Sequence, residues 1–403
     1  MIEQQKNKGT SLKHKKADEG VVMKSKLLAM GICLILFTIS VGQTTGNNKG
    51  KTPNQKDTAT SVLRIGVVGL VHGHASNFLY RLCERKDMQI VGVFEPNREL
   101  SWNCAAQYKL DSSLFYSNLE EMLDKTEPQA VVVFTSTFEH RRVVEACAKR
   151  SIDVMMEKPL AVNIEHARAI EKAAGEGNID VLVNYQTTWY RSNQEAYSLV
   201  HKKKAIGDIR RIVVHAGHWG PKEIGCSKEF LEWLTDPVLN GGGALTDFGC
   251  YGANLITWLM EGQKPISVTA VTQQIKPDVY PKVEDEATIL LAYPKALGIV
   301  QASWNWPFDR KDMEIYGRTG YVHTVKRQSV RLRVDDRTEK RISAEQLKPP
   351  LDNPLSYLGA VLRGQIKPEG LSCLENNMVV MEILEAARLS AESGKTIRLD
   401  CQN

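Results

Sequence analysis

The amino-acid sequence predicts an α/β protein with two domains, a parallel sheet covered by helices and then an open, mainly antiparallel sheet. From residue 62 to 185, short apolar runs rich in β-branched residues alternate with amphipathic segments. Runs that are apolar on both faces are typical of parallel strands covered by helices. After residue 185, longer strands of alternating polar and apolar residues follow one another with few helices between them, which predicts the second sheet.

The first domain is predicted over residues 62–185. In an open parallel sheet, ligands bind at the carboxyl ends of the strands, so the residues that follow each strand are candidates for a site. The predicted strands are 63–68, 89–94, 130–134, 152–156 and 180–183, and the predicted helices are about 74–86, 98–108, 139–150 and 163–175.

The second domain is predicted over residues 186–403. Its last helix, about 371–391, stops before Gly394 and is expected to return toward the first domain. The other predicted helices are 193–203 and 246–260, and the predicted strands are 208–218, 265–274, 286–292, 297–304, 312–317 and 320–333.

The N-terminal region indicates export. Residues 1–42 contain a basic start and an apolar run at 27–41, which together are typical of a secretory signal peptide and predict a periplasmic protein. Translation starting at Met23 would give this signal an ordinary length. Because the run is shorter than the roughly 20 residues of a spanning helix, an uncleaved membrane anchor is the alternative. Residues 43–61 are almost entirely polar and predict a flexible linker.

Charge and cysteine content exclude several classes of function. The formal net charge is +5, but residues 1–42 contain seven Lys and three acidic residues, so the remaining chain carries about +1. A nearly neutral body argues against nucleic acid as a partner. The seven cysteines after residue 42 form no C-x-x-C pair and no regular spacing, so neither a disulfide framework nor a zinc site is expected, and no metal is predicted.

A glycine-containing turn follows the first predicted strand. On the G-x-G-x-x-G spacing of a Rossmann dinucleotide-binding domain Gly69 fits, but Val71 occupies the second glycine position and Gly73 comes one residue early. The motif predicts a rebuilt phosphate-binding turn, and a plain strand–helix turn is the alternative. The candidate phosphate-binding residues are Gly69, Val71, His72 and Gly73.

The second predicted strand ends at Glu95. An acidic residue at this position is placed to accept hydrogen bonds from the adenosine ribose, and its charge would repel a 2′-phosphate. The sequence therefore predicts NAD rather than NADP as the cofactor, while the nearby Arg98 leaves NADP as the less favoured alternative.

Three further motifs carry a family resemblance. They are EKP at 157–159 after a buried strand, TSTFEH at 135–140 and GGGALTDFGCYGAN at 241–254. From about residue 63 to 400 the chain resembles the family of glucose-fructose oxidoreductase and inositol dehydrogenase (Gfo/Idh/MocA). The resemblance implies a substrate held between the Rossmann domain and the second sheet, with Lys158 beside the reacting hydroxyl. It assigns further cofactor contacts to Thr135, Thr137, His140, Glu157 and Lys158.

The catalytic motif departs from the usual family pattern. Asp247 matches, whereas the family's usual His is Tyr251 and its final Asp is Asn254; glucose-fructose oxidoreductase is similar in having Tyr there. Asp247 and Tyr251 are four residues apart on a predicted helix and share one face. A nearby Lys158 ammonium is expected to lower the Tyr251 pKa, so that Tyr251 removes a proton from a sugar hydroxyl while hydride leaves the same carbon.

Aromatic residues of the second domain favour a sugar as the small-molecule substrate. The resemblance implies substrate contacts at the hinge after the last strand of the first domain, at Gln186 and Trp189, whereas His215 and His218 are interpreted as structural. The predicted function is an NAD-dependent oxidoreductase acting on a sugar hydroxyl or keto group, forming a homo-oligomer through its open sheet. An NAD-dependent glycosidase and a non-catalytic sugar- or partner-binding protein of the same fold remain alternatives.

Overall fold

A computed structural model of the chain describes residues 61–399. The predicted signal peptide, residues 1–42, and all of the predicted linker except Ser61 lie outside the described residues. Among residues 61–399 no helix has the length and apolar composition needed to cross a membrane.

The first half of the described chain forms a six-stranded, wholly parallel sheet in the order β3-β2-β1-β4-β5-β6, which confirms the predicted class. Its strands are β1 (Leu63–Val68), β2 (Met88–Phe94), β3 (Phe115–Tyr116), β4 (Ala130–Val133), β5 (Asp153–Glu157) and β6 (Val181–Asn184). The helices that cover it are α1 (Ala75–Cys83), α2 (Arg98–Tyr108), α3 (Leu119–Thr126), α4 (His140–Ala148) and α5 (Ile164–Gly177). The order reverses between β1 and β4, which opens a crevice at their carboxyl ends.

Asparagine side chains begin three of these helices. Asn97, Asn118 and Asn163 each accept hydrogen bonds from backbone N–H groups in the first turn of α2, α3 and α5. The helix α1, which follows the glycine-containing turn, has no such side-chain cap. The N–H of Ala75 is bonded to the His72 carbonyl, whereas those of Ser76 and Asn77 have no hydrogen-bond partner among the described residues and could be satisfied by an anion.

The second half forms a nine-stranded sheet in the order β14-β13-β12-β11-β7-β10-β9-β8-β15. Only β7 and β10 pair in parallel among its described strands, so the sheet is mainly antiparallel, as predicted. Its strands are β7 (Ile209–Gly217), β8 (Ser267–Gln273), β9 (Glu286–Ala292), β10 (Leu297–Ser303), β11 (Arg310–Gly317), β12 (Gly320–Lys326), β13 (Ser329–Val334), β14 (Lys340–Ser343) and β15 (Ile397–Arg398). The remaining helices are α6 (Arg191–Tyr197), α7 (Lys228–Leu234), α8 (Pro237–Asn240), α9 (Ala244–Asp247), α10 (Gly249–Leu259), α11 (Pro354–Leu362) and α12 (Leu374–Ser393).

Several predicted elements differ from those observed. The single strand expected over 320–333 is the hairpin of β12 and β13, and the helix expected over 246–260 is interrupted at Phe248 between α9 and α10. The helix α12 ends at Gly394, which adopts a left-handed φ of 67°, and it packs against both α5 and β8. The strands β3, β14 and β15 are not among the predicted elements, because strands of two to four residues leave no readable periodicity.

Helix α10 lies close against the second sheet because of one glycine. A Cβ atom at Gly252 would lie 2.3 Å from Cγ1 of Val300, a fully buried residue of β10. Only a residue without a side chain permits this separation of helix and strand. By contrast, a Cβ atom at the exposed Gly175 of α5 would meet no other atom within 4 Å.

We therefore predict that Gly252→Ala destabilises the protein by about 1–3 kcal/mol, because the added methyl group overpacks the contact with Val300. Gly175→Ala, also in a helix, is the matched control and should change stability by no more than about 1 kcal/mol, toward greater stability. Urea unfolding measures both. The Gly252→Ala penalty should shrink in a Val300→Ala background; an unchanged penalty there would contradict this packing account.

Candidate active site

A cavity of about 800 Å³ lies between the carboxyl end of the parallel sheet and elements of the second sheet. The β1–α1 turn and the end of β5 form one side, and α9, α10, β11 and β12 contribute the other. The strand ends of the first sheet and the glycine-rich segment of the second thus meet at one place. Of the predicted site residues, those that line the cavity are His72, Gly73, Lys158, Gln186, Asp247 and Tyr251.

A buried ion pair lies in the wall of this cavity. The Lys158 ammonium donates to the Asp247 carboxylate and, at 3.2 Å, to the Asp247 backbone oxygen. The second carboxylate oxygen of Asp247 accepts from the Trp304 indole N–H at 2.9 Å. Burial disfavours both charges, but each partner outweighs it, so the Lys158 pKa is raised and the Asp247 pKa is lowered. Both groups are ionised at neutral pH.

Tyr251 lies beside this pair on α10. The Lys158 ammonium is 5.3 Å from the centroid of the Tyr251 ring. Burial raises the pKa of Tyr251 well above its usual value near 10, although the Lys158 charge acts in the opposite direction. Lys158 thus acts in the expected direction, but burial outweighs it, and the low Tyr251 pKa that was expected is not found. A pKa raised in this way keeps Tyr251 a protonated phenol at neutral pH.

A second lysine approaches the same tyrosine. Lys311, from β11, has its ammonium 5.1 Å from the centroid of the Tyr251 ring and donates to Oε1 of Gln186 at 2.8 Å. Burial and the neighbouring Lys158 charge lower the pKa of Lys311 to about 8. The predicted substrate contact Gln186 is thus in the cavity wall, held there by a residue that the sequence analysis did not single out.

The β1–α1 turn leaves room for a ligand although its glycine pattern is irregular. Gly69 has a φ of +81°, and a Cβ atom there would lie 2.6 Å from Thr135 Cγ2, so glycine is required where this turn meets the β4 exit. At Gly73 a Cβ atom would meet no other atom within 4 Å. The backbone of Gly73 therefore faces open space, in front of the uncapped first turn of α1.

A second cavity of about 400 Å³ adjoins this turn and is lined in part by Leu70 and Val71. The segment 221–227 of the second half closes it, and Ile224 and Cys226 line both cavities. The turn between β1 and α1 thus borders two neighbouring cavities that share wall residues, an arrangement that suits a long ligand better than a compact one.

Glu95 is buried at the end of β2. Its carboxylate accepts from the backbone N–H of Leu70 at 2.8 Å and from that of Asn97 at 2.9 Å. Burial raises the Glu95 pKa, and these two N–H groups oppose the rise. The predicted ribose-binding acid is therefore beside the β1–α1 turn, where it also fixes the shape of the turn.

Glu157 is the centre of a chain of hydrogen bonds behind the cavity. One carboxylate oxygen lies 3.0 Å from Nδ1 of His74, and the other accepts from the Asn184 amide at 2.8 Å. Burial would raise the Glu157 pKa, but His74 and the other partners outweigh it and lower the pKa to about 2. Trp189 ends the chain by donating to Asn184 at 2.9 Å.

The structure does not place Trp189 in the wall of the cavity, contrary to its predicted role as a substrate contact. Its indole packs edge-on against Tyr357, with ring centroids 5.7 Å apart, and its N–H is used by Asn184. The turn Gln186–Trp189 points its first residue at the cavity and its last residue at α11. Four residues of a 3₁₀ turn cannot all face one side, so only Gln186 remains a candidate substrate contact.

The three predicted cofactor residues after β4 are buried and serve the surrounding structure. Thr135 packs against Gly69, and the Thr137 hydroxyl donates to the side chain of Asn240 at 3.2 Å. His140 contacts the Leu160 carbonyl through Nδ1 at 3.2 Å, and burial lowers its pKa to about 4, so its ring is neutral. None of the three is among the described residues that line either cavity.

Sequence reasoning missed three residues of the site. His218, interpreted as structural, lines the cavity and packs edge-on against Phe248. Trp304 fixes Asp247, and Lys311 flanks Tyr251. Each comes from a strand of the second sheet or its end, where neighbours are set by long-range pairing rather than by local spacing.

The residues fit a bound dinucleotide. An open glycine backbone at Gly73, uncapped N–H groups at the start of α1 and a carboxylate at Glu95 are the groups that hold the phosphates and ribose of such a cofactor. Lys158 and Tyr251 are placed beyond the turn, in the larger cavity.

Comparison with known proteins assigns both halves of the chain. Residues 63–185 match the model of the oxidoreductase family with an NAD-binding Rossmann fold, and residues 194–323 match the model of the GFO/IDH/MocA C-terminal domain. The two matches follow one another in the order of the two sheets.

Individual relatives have modest sequence identity to this chain. A trans-1,2-dihydrobenzene-1,2-diol dehydrogenase of Xenopus laevis is 30% identical over 187 residues, which are 46% of this chain and 52% of that enzyme. The chain thus spans about half the length of this curated relative.

Solved structures share the fold. An aldose-aldose oxidoreductase from Caulobacter crescentus, complexed with glycerol, has a TM-score of 0.71 at 22% identity, covering 84% of this chain and 99% of that one. An inositol dehydrogenase homologue from Azotobacter vinelandii, complexed with NADH and myo-inositol, has a TM-score of 0.71 at 17% identity, covering 84% and 98%. With an NAD-binding Rossmann domain, a matching C-terminal domain and this shared architecture, the chain belongs to the Gfo/Idh/MocA family of oxidoreductases.

Proposed function

We propose that this protein is an NAD-dependent oxidoreductase that interconverts a hydroxyl and a keto group on a sugar or glycoside. The observation that carries the proposal is the convergence of Lys158, Asp247 and Tyr251 on one cavity wall, next to a turn suited to a dinucleotide. A buried ion pair beside a buried phenol is costly to maintain and is typical of a catalytic site.

The relatives support this class of reaction. The Xenopus enzyme is a dehydrogenase of a diol, and the two structural neighbours are an aldose oxidoreductase and an inositol dehydrogenase homologue. All three names describe proteins acting on compounds with neighbouring hydroxyl groups. A substrate of the same kind fits a cavity walled by hydrogen-bonding side chains and by the aromatic rings of Tyr190 and Phe248.

In this proposal the bound dinucleotide supplies or accepts hydride at the reacting carbon. Tyr251 retains its proton because it is buried, and it donates that proton to the ketone oxygen in the direction of reduction. In the direction of oxidation Tyr251 must first lose its own proton to solvent, and its phenolate oxygen then accepts the proton of the hydroxyl as hydride leaves the same carbon. Lys158 orients the oxygen and stabilises negative charge on it, and Asp247 keeps Lys158 charged and fixed.

We assign NAD rather than NADP to the site because of Glu95. A 2′-phosphate on the adenosine ribose would lie beside a buried carboxylate at the end of β2. Arg98, at the start of α2, is exposed and is the nearby group that could favour NADP instead.

Two alternatives make different predictions for the same purified protein. An NAD-dependent glycosidase would release nitrophenol from a nitrophenyl glycoside. A dehydrogenase would reduce NAD and release no nitrophenol. A sugar-binding protein without chemistry would do neither and would have no use for the Lys158–Asp247 pair beside Tyr251. We favour the dehydrogenase because that pair is complete.

We also propose export to the periplasm by the signal at residues 1–42 and a homo-oligomer formed through the open sheet. The sheet face opposite the helices supports the oligomer, since large apolar side chains are exposed there at Val271 and Leu290. The signal lies outside the described residues and is proposed from its sequence pattern alone.

Tyr251→Phe is predicted to lower turnover about 10²-fold or more, because it removes the proton donor while leaving the ring in place. The affinity for NAD should be unchanged. Steady-state NADH formation with an accepted sugar measures the first, and fluorescence titration measures the second. Tyr293→Phe removes a buried hydroxyl away from the cavity and is the control; turnover near wild type in Tyr251→Phe would exclude Tyr251 from the mechanism.

NAD is predicted to bind at least about tenfold more tightly than NADP, because Glu95 repels the extra phosphate. Paired fluorescence titrations of the two dinucleotides measure this ratio. Arg98→Met serves as the control and should leave the ratio unchanged. Equal or tighter binding of NADP, abolished by Arg98→Met, would instead assign the pocket to Arg98.

A further inference from the structure

The ammonium of Lys311 lacks a carboxylate partner although it is half-buried. Its hydrogen bond is to the neutral amide oxygen of Gln186, and no ion pair joins it to an acid within the described part of the chain. It lies near the Tyr251 and Phe248 rings. The Lys158 charge acts on it more strongly than either opposing carboxylate, Asp247 or Asp309. With a pKa of about 8, Lys311 is mostly protonated at pH 7. A cation in such surroundings calls for an anion.

The whole cavity has an excess of positive charge. Asp247 is used by Lys158, and Asp312 accepts two hydrogen bonds from Arg310. The cations Lys311, Lys326 and Arg327 then remain, with the exposed carboxylate of Asp309 as the one remaining negative charge of the wall. The charged side chains of the wall are Lys158, Arg310, Lys311, Lys326 and Arg327 on the positive side and Asp247, Asp309 and Asp312 on the negative side.

The phosphates of the cofactor do not explain this excess. They belong at the β1–α1 turn, and among the described residues lining the adjoining second cavity none is Lys or Arg. Lys311 is instead grouped with Gln186 and Tyr251, the candidate substrate-binding and proton-donating residues. The missing negative charge therefore belongs to the substrate rather than to the dinucleotide.

Arg327 provides a second anchor. It follows β12 at the hairpin turn, and its guanidinium lies over the Tyr190 ring at 5.2 Å. The backbone oxygen of Arg327 accepts from Ser192 N at 3.1 Å, which ties this turn to α6. A guanidinium held on an aromatic face presents a planar pair of donors, which suits a carboxylate.

We propose that the substrate is a sugar acid, whose carboxylate is bound by Lys311 and Arg327 while a ring hydroxyl faces Lys158 and Tyr251. The inference rests on the proposed function, since it names the substrate class of that same site. Because Lys158 and Lys311 both approach the Tyr251 ring, the carboxylate lies within one sugar ring of the reacting carbon.

Calorimetric titration of the NAD-saturated protein tests the inference without relying on turnover. The ligands are D-glucuronate and D-galacturonate against the matched neutral sugars D-glucose and D-galactose, together with D-glucose 6-phosphate. At least one acid should bind ten or more times more tightly than its neutral partner, and its affinity should fall as salt is added. Acids that bind no better than their neutral partners overturn the proposal, and so does preferential binding of the phosphate.

Substitutions test whether Lys311 and Arg327 bind the substrate carboxylate. Lys311→Met removes the charge, keeps an unbranched side chain one atom shorter, and should weaken acid binding about 10- to 100-fold, toward the affinity of the neutral sugar. Arg327→Gln, at an exposed turn, should act in the same direction and serves if Lys311→Met does not fold. Lys340→Met removes the same charge from the exposed strand β14 and should change nothing. Equal acid affinity in wild type, Lys311→Met and Arg327→Gln overturns the assignment.

The sugar-acid assignment and the proposed oxidoreductase function can each fail without the other. Oxidation of neutral sugars, without preference for acids, would retain the oxidoreductase and remove the sugar-acid assignment. Preferential binding of acids, weakened by Lys311→Met but without reduction of bound NAD, would retain the anion site and remove the oxidoreductase.

Discussion

The buried ion pair of Lys158 and Asp247 is the interaction on which the site depends. Neither charge could remain ionised there alone, because transfer of an isolated ion into a protein interior costs several kcal/mol even after relaxation. The pair joins the end of β5 in the first sheet to α9 in the second half of the chain. The two halves of the chain must therefore pack together correctly at this point before either side chain can act.

Two glycines make this close packing possible. A Cβ atom at Gly241 would lie 2.2 Å from the Val162 carbonyl oxygen, and one at Gly243 would lie 1.9 Å from the Glu284 carbonyl oxygen. The segment before α9 can approach both backbones only because it has no side chains at these positions. The run of glycines in the sequence is thus a requirement of close packing that places Asp247, rather than a ligand-binding element in itself.

Local patterns predicted much of the fold and part of the site. Apolar runs located the parallel strands, the rule that ligands bind at strand ends selected Lys158, and the family resemblance selected Gln186. The spacing of Asp247 and Tyr251 predicted a shared face, which survives even though the helix is interrupted between them. The raised pKa of Tyr251 could not be predicted in this way, since it depends on burial that outweighs the Lys158 charge. Lys311 was hidden for another reason: the pairing of β11 with β7 brings it to the site from far along the chain.

The segment 221–227 borders both cavities, and this gives the two ligand sites a common boundary. A dinucleotide along the β1–α1 turn and a substrate beside Tyr251 would both border Ile224 and Cys226. A shift of this segment on binding of either ligand would alter the wall of the other site, and the resulting coupling of the two affinities would be equal in both directions.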